Sequence, residues 1–124
     1  MIIAIDFDGT VVTHDYPEVG KDIGAVPVLK ELVENGHKLI IYTMRSGDKL
    51  NDAINWFFDN DIAYWAVQQN PTQKDWTESP KCYAELYIDD AALGCPLKFN
   101  PYFSGREFVD WDAVREFLIL KGIL

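Results

Sequence analysis

The feature that most constrains the fold is an alternation of short apolar runs with segments of helical periodicity. Continuous apolar runs at residues 1–6 (MIIAID) and 38–43 (KLIIYT) are typical of strands buried on both faces. Helical spacing of apolar residues follows each run, over residues 26–35 and 48–59. Strand, helix, strand, helix in this order predicts a parallel sheet with right-handed crossovers, an open α/β fold.

The second half of the chain continues the pattern. Residues 62–67 and 86–88 are predicted strands, and residues 111–121 a helix that Asp110 caps and Gly122 ends. In the helix over residues 48–59 we expect Asp48 to be the cap and Phe57 and Phe58 to face the core.

Composition limits the class of protein. The 124 residues, 48% of them hydrophobic, predict one domain over residues 1–124. The 11 Lys and Arg against 20 Asp and Glu give a net charge of −9, which disfavours duplex nucleic acid and anionic membranes as partners. The opening apolar run is too short for a signal-peptide core, so we expect a cytoplasmic protein. Cys82 and Cys95 lack metal-site spacing and are expected to be reduced thiols.

Polar side chains follow several predicted strands where each strand ends. Asp6 and Asp8 follow the first, Thr43 ends the second, and Asp89 and Asp90 follow the fourth. Carboxyl ends of parallel strands meet at one edge of a sheet, so these five side chains should gather there. Four ionised carboxylates require a cation, and an oxygen-only ligand set favours Mg²⁺. The alternative is that Asp6 and Asp8 only form an Asp-Gly turn.

These motifs, in this order, resemble those of the haloacid dehalogenase superfamily of phosphotransferases. The first motif of that family, a strand followed by D-x-D-x-T/V, is matched by IDFDGT at residues 5–10. The strand that ends in Thr is matched by LIIYT with Thr43, and the acidic pair by YIDD. The family's lysine is assigned to Lys81, with Lys74 as the alternative. The resemblance implies a Rossmann-like parallel sheet flanked by helices.

The resemblance also implies a reaction, the Mg²⁺-dependent hydrolysis of phosphomonoesters. Asp6 would be the nucleophile that forms an aspartyl-phosphate, and Asp8 the group that transfers protons. Thr43 and Lys81 would stabilise the phosphoryl group, and Gly9 would let the backbone approach it. The metal would be held by Asp6, by the backbone carbonyl of Asp8, and by Asp90 directly, with Asp89 nearly as good a choice.

Other residues admit two interpretations each. Arg45 can bind a second anionic group of the substrate or form a salt bridge to a nearby acid. His14, in the loop after the nucleophile, could touch substrate. Trp76 could stack on the substrate or cover a sheet edge.

The family's usual cap domain has no room here, because only residues 11–24 and about 60–80 are available. An uncapped site suits a large phosphorylated substrate, or a second subunit that covers it, so a homo-oligomer is an option. Two rival functions share the fold: a phosphoacceptor signalling domain and a non-catalytic phosphate-binding module. The position of D-x-D on the first strand and Asp-Asp on the last favours the hydrolase.

Overall fold

The computed structural model describes residues 1–124. In chain order its elements are β1 (Ile2–Ile5), α1 (Ala25–Glu34), β2 (Lys38–Ile41), α2 (Gly47–Asp59), β3 (Ala66–Val67), β4 (Leu86–Ile88), β5 (Leu97–Lys98), β6 (Phe108–Val109) and α3 (Trp111–Leu120). A 3-10 turn at Gln73–Asp75 lies between β3 and β4. None of the helices is long and apolar enough to span a bilayer.

The main sheet has four parallel strands in the order β3-β2-β1-β4. The predicted open α/β, Rossmann-like architecture is therefore confirmed. Ile5 of the central strand β1 lies in register with Ile41 of β2 and with Ile88 of β4. The residues that follow these three strands consequently emerge at one edge of the sheet.

All three helices contribute to a single core on one face of the sheet. The sheet residues of that core alternate along the strands, because successive side chains point to opposite faces: Ile3 and Ile5, Leu39 and Ile41, and Ile88. Helix residues that join them include Leu29 and Leu32 of α1, Phe57 of α2 and Leu118 of α3. Full burial of each such side chain contributes roughly 1.5–3 kcal/mol.

No helix covers the opposite face, which carries Ala4, Ile40 and Tyr87. The chain between β3 and β4, residues 68–85, crosses this face without forming an α-helix. Its Cys82 and Ala84 are buried, and the Tyr87 hydroxyl donates to the Cys82 carbonyl. The two faces of the sheet are thus built differently, one by helices and one by an irregular segment.

Several local expectations change in the structure. Helix α2 begins at Gly47 and not after Asp48, so Asp48 lies in its first turn, where its charge still favours the helix dipole. Phe57 is buried, whereas Phe58 is 76% exposed, because the apolar face of α2 is narrower than predicted. Strand β3 spans only Ala66–Val67. The antiparallel pair β5–β6 was absent from the sequence prediction.

The last helix follows its sequence signals closely. The Asp110 carboxylate accepts hydrogen bonds from the backbone amides of Asp112 and Ala113, so it is the predicted N-cap. Gly122, just past the helix end, has a φ of 74°, a left-handed conformation that glycine tolerates.

Candidate active site

Three carboxylates form the centre of the site. Asp6 follows β1, and Asp89 and Asp90 follow the adjacent strand β4. One oxygen of each lies within 4.8 Å of the others, and all three residues are partly buried. The strand order therefore brings together residues that are more than 80 positions apart in the sequence, as the parallel sheet requires.

Thr10 holds two of these acids. Its Oγ1 donates to Asp6 Oδ2 at 2.7 Å, lies 3.2 Å from Asp90 Oδ1, and accepts from the Asp90 amide at 3.0 Å. Thr10 is fully buried, and its carbonyl accepts a 2.7 Å hydrogen bond from the indole of Trp111, the first residue of α3. The Thr of the D-x-D-x-T motif is thus a site residue, and the helix that follows the last strand anchors it.

His14 belongs to the site as well. Its Nε2 lies 2.8 Å from Asp90 Oδ2, and the side chains of the pair are 17% and 15% exposed. The imidazole occupies the space that a side chain at residue 9 would need: a Cβ there would lie 1.9 Å from Nε2. Gly9, with a φ of 80°, therefore makes room for His14.

Asp8 points away from the carboxylate cluster and pairs with Arg45. The guanidinium donates from Nε to Asp8 Oδ2 at 2.8 Å and from Nη2 to Asp8 Oδ1 at 2.7 Å. The Asp8 carboxylate is not one of the clustered acids. The expectation that four carboxylates converge is corrected to three, since the buried guanidinium draws the fourth to itself.

Arg45 has no donor left for a substrate. Besides Asp8, its guanidinium donates to the carbonyls of Glu18 (2.7 Å), Lys49 (3.3 Å) and Pro17 (3.4 Å), which uses all of its N–H groups. Arg45 is 2% exposed, and the adjacent Asp8 carboxylate raises its pKa. Of the two interpretations of Arg45, the salt bridge is the one that the structure contains.

Thr43 lies just past the end of β2, in a loop that Gln68 fixes. The Gln68 side chain accepts from the Thr43 amide at 2.8 Å and donates to the Thr43 carbonyl at 2.6 Å. Thr43 Oγ1 accepts a 3.1 Å hydrogen bond from the Arg45 amide, which leaves the hydroxyl hydrogen free to donate. Gln68 was missed by sequence reasoning, because a lone glutamine in a polar loop carries no signal.

Neither candidate lysine contacts the acid cluster. The ion pairs of the chain join His14 to Asp90, Arg45 to Asp8 and Arg115 to Glu31, so no lysine takes part in one. The exposed Lys81 ammonium lies 5.8 Å from the ring centre of Tyr87. Lys74 lines a separate cavity.

Trp76 is on the surface, in the segment between β3 and β4. It is 63% exposed, and its ring meets that of Tyr83 edge to face at 5.4 Å. Cys82 and Cys95 are both free thiols, and burial raises the pKa of each. These two thiols lie outside the carboxylate cluster.

Burial and the neighbouring acids both raise the pKa of Asp6. Burial is the largest cause that raises its pKa to about 8, and the hydrogen-bonded Asp90 and the charge of Asp89 raise it further. The Thr10 hydroxyl acts in the opposite direction. A cation between these oxygens would favour the ionised form instead. Three carboxylate oxygens, without sulfur or imidazole, are a donor set suited to a hard divalent ion such as Mg²⁺.

Comparison with known proteins places the chain beside one solved structure. No known family model matches the chain, and no curated protein does. The structure of a conserved protein coded by a locus from Bacteroides thetaiotaomicron is similar, with a TM-score of 0.79 and 34% sequence identity. The match covers 98% of this chain and 91% of that one. The chain therefore belongs to the same family as this conserved Bacteroides protein.

Proposed function

We propose that the chain is a Mg²⁺-dependent phosphomonoester hydrolase, similar to haloacid dehalogenase phosphatases, that forms an aspartyl-phosphate on Asp6. One observation carries the proposal. Asp6 ends the central strand inside a cluster of three carboxylates, with one of its oxygens held by Thr10 at 2.7 Å. The order of the motifs, D-x-D on the first strand and Asp-Asp on the last, supports it independently.

The carboxylate cluster would hold the Mg²⁺. Asp90 is engaged by His14 at one oxygen and lies against Thr10 at the other. Asp89 accepts only from the Ala91 amide, through Oδ1, so its Oδ2 has no partner. This favours Asp89, together with Asp6, as the direct ligand, and gives Asp90 an orienting role, the reverse of the assignment preferred from sequence. Bound there, the cation would offset the charge of the acids and of the phosphoryl oxygens.

Asp6 and Asp8 would divide the reaction between them. A carboxylate oxygen of Asp6 attacks phosphorus, and the bond from phosphorus to the substrate oxygen breaks as that oxygen takes a proton from Asp8. Water then attacks the aspartyl-phosphate, returns a proton to Asp8, and releases phosphate and free Asp6. Because Arg45 donates to both oxygens of Asp8, the Asp8 carboxyl group would have to rotate away from the guanidinium to exchange these protons.

Thr43 and Lys81 would act on the phosphoryl oxygens. The Thr43 hydroxyl hydrogen is free, and the Gln68 side chain holds the Thr43 backbone in place. The Lys81 ammonium forms no ion pair, so it can leave the Tyr87 ring to meet an incoming dianion. The partner in this scheme is a phosphorylated substrate. The two free cysteines agree with a reducing compartment, and we propose the cytoplasm.

The direct test is hydrolysis of p-nitrophenyl phosphate by the native protein and by Asp6→Asn. We expect turnover that needs Mg²⁺, is lost in EDTA, and falls on the order of 10³-fold or more in the variant. Asp75→Asn, a change of the same chemistry at an exposed residue away from the cluster, should keep the native rate. Equal rates for native and Asp6→Asn would contradict the proposal. A hydroxylamine-sensitive phosphoprotein that persists without turnover would instead support a phosphoacceptor domain.

A further inference from the structure

A polar cavity of about 310 Å³ lies at the carboxyl end of β3. Nine of its ten lining residues are not hydrophobic, among them Gln68, Gln69, Lys74, Thr77, Glu78 and Ser79. The segment that forms it, between β3 and β4, has too few residues for a cap domain. This segment therefore builds a compartment without forming a domain.

Buried amides fix the walls of the cavity. Gln73, 8% exposed, donates to the carbonyls of Ser79 (2.9 Å) and Lys81 (2.7 Å) and accepts from the Tyr83 amide (2.7 Å). Asn70, 5% exposed, donates to the Tyr83 carbonyl at 3.1 Å. Because these hydrogen bonds exist within the chain alone, the cavity is preorganised for a ligand.

Other groups on the walls remain free to bind. The Lys74 ammonium, the Glu78 carboxylate and the Gln69 amide make no side-chain hydrogen bond or ion pair, and all three residues are exposed. Thr77 and Ser79 use their hydroxyl oxygens as acceptors, for the amides of Ser79 and Lys81, and keep their hydrogens. One positive and one negative charge among neutral donors and acceptors suit a neutral ligand rich in hydroxyl groups.

The cavity lies within reach of the acid cluster. Gln68 lines it and also bonds to Thr43, the proposed phosphoryl contact. Neighbouring strands are about 4.8 Å apart, so β3 and β1 are roughly 10 Å apart across β2. A phosphoryl group at Asp6 could therefore extend its ester substituent past Thr43 along the carboxyl edge, where ligands of such sheets bind.

We propose that this cavity binds the polyhydroxylated part of a sugar or polyol monophosphate. The inference rests on the proposed hydrolase function and names its substrate class. No aromatic residue lines the cavity, which disfavours a nucleobase, and its volume is at the small end of ligand pockets, which favours a small ligand. The single lysine, offset by a glutamate, disfavours a second phosphate.

The test compares substrates and variants. D-glucose 6-phosphate, D-ribose 5-phosphate and p-nitrophenyl phosphate are offered to the native protein, to Gln69→Leu and to Glu78→Gln. We expect KM for at least one of the two sugar phosphates to rise about 10-fold in both variants, with kcat nearly unchanged. KM for p-nitrophenyl phosphate, which has no hydroxyl groups to bind, should stay within about twofold of the native value. Glu116→Gln, at an exposed site on α3, is the matched control.

A binding measurement separates this inference from the hydrolase proposal. Each sugar phosphate is titrated into ¹⁵N-labelled Asp6→Asn, and we expect the backbone amides of Gln69, Thr77 and Ser79 to shift. Shifts at these amides without turnover by the native protein would keep the cavity assignment and refute the hydrolase. Turnover with no shift at these amides and no change in KM for the variants would refute the cavity assignment alone. The absence of amide shifts with either sugar phosphate, even without turnover, would also refute the cavity assignment.

Discussion

Replacing Asp6 by asparagine is expected to stabilise the metal-free protein while it removes the activity. The side chain keeps its shape, and Thr10 can still donate to the remaining carbonyl oxygen. The change removes a charge that burial and two neighbouring acids oppose. Nucleophiles held in such surroundings cost folding free energy, and their neutral replacements commonly recover part of it.

The size of the effect follows from the pKa of Asp6, which rises from 3.8 to about 8 on folding. Below about pH 4 the group is protonated in both states and contributes no difference. Between about pH 4 and pH 8 the folded protein keeps a proton that the unfolded chain has lost, so the stability of the native protein falls as pH rises. At about 1.36 kcal/mol per pKa unit, the upper limit of this destabilisation is roughly 6 kcal/mol. Solvent at the partly exposed cluster reduces the effect, and we expect Asp6→Asn to be about 2 kcal/mol more stable than the native protein at the higher pH.

Urea unfolding in EDTA at about pH 5 and about pH 8 measures the prediction. The free energy of unfolding of Asp6→Asn should exceed that of the native protein at the higher pH, and the gap should shrink at the lower one. Adding Mg²⁺ should stabilise the native protein and stabilise Asp6→Asn much less, because the variant lacks one ligand. Asp75→Asn should follow the native protein throughout. A gap that stays constant or narrows as pH rises would refute the assigned cause of the pKa shift.

Substitutions at three further positions test contacts around the cluster. Arg45→Met should lower the free energy of unfolding by about 3 kcal/mol or more, because it leaves Asp8 without its partner. Arg45→Lys should recover only part of that stability. Urea midpoints of Arg45→Met that match the native value would contradict this. Gly9→Ala should displace the His14 ring and lower the free energy of unfolding by about 1–3 kcal/mol, since residue 9 has a positive φ and no space for a Cβ. An unshifted His14 ring resonance in NMR spectra would argue against this displacement. Trp111→Phe should lower the free energy of unfolding by about 2 kcal/mol, because the buried Thr10 carbonyl loses its donor. Thermal unfolding measures the loss. Trp76→Phe, at an exposed residue, is the control and should change little.

The sequence carried enough information to place β1, β2 and β4 of the parallel sheet and three of the site acids. Strands such as β1 are continuous apolar runs, and a parallel sheet leaves little choice about where Asp6, Asp89 and Asp90 go. The cap of α3 was also readable, because Asp110 acts on amides only two and three residues away. Such features depend on neighbours in sequence or on strand order, both of which leave a pattern.

Contacts between loops left no such pattern. Arg45 lies 37 residues from Asp8 in the sequence, and His14 lies 76 residues from Asp90. Both pairs depend on how the loop after β1 folds over the edge of the sheet. A salt bridge was one of the two interpretations considered for Arg45, but its partner could not be named among many acids. Phe58 was misplaced because the apolar face of α2 reads wider in sequence than the core that receives it.

The two faces of the sheet are covered differently, so the helical core that stabilises the fold is separate from the segment that would bind ligands. Helices pack on one face of the sheet, and the irregular segment of residues 68–85 on the other face forms the polar cavity. Insertions or exchanges in that stretch would leave the helical packing untouched. Relatives of this protein could therefore diverge in ligand preference by remodelling residues 68–85 while they inherit the same scaffold.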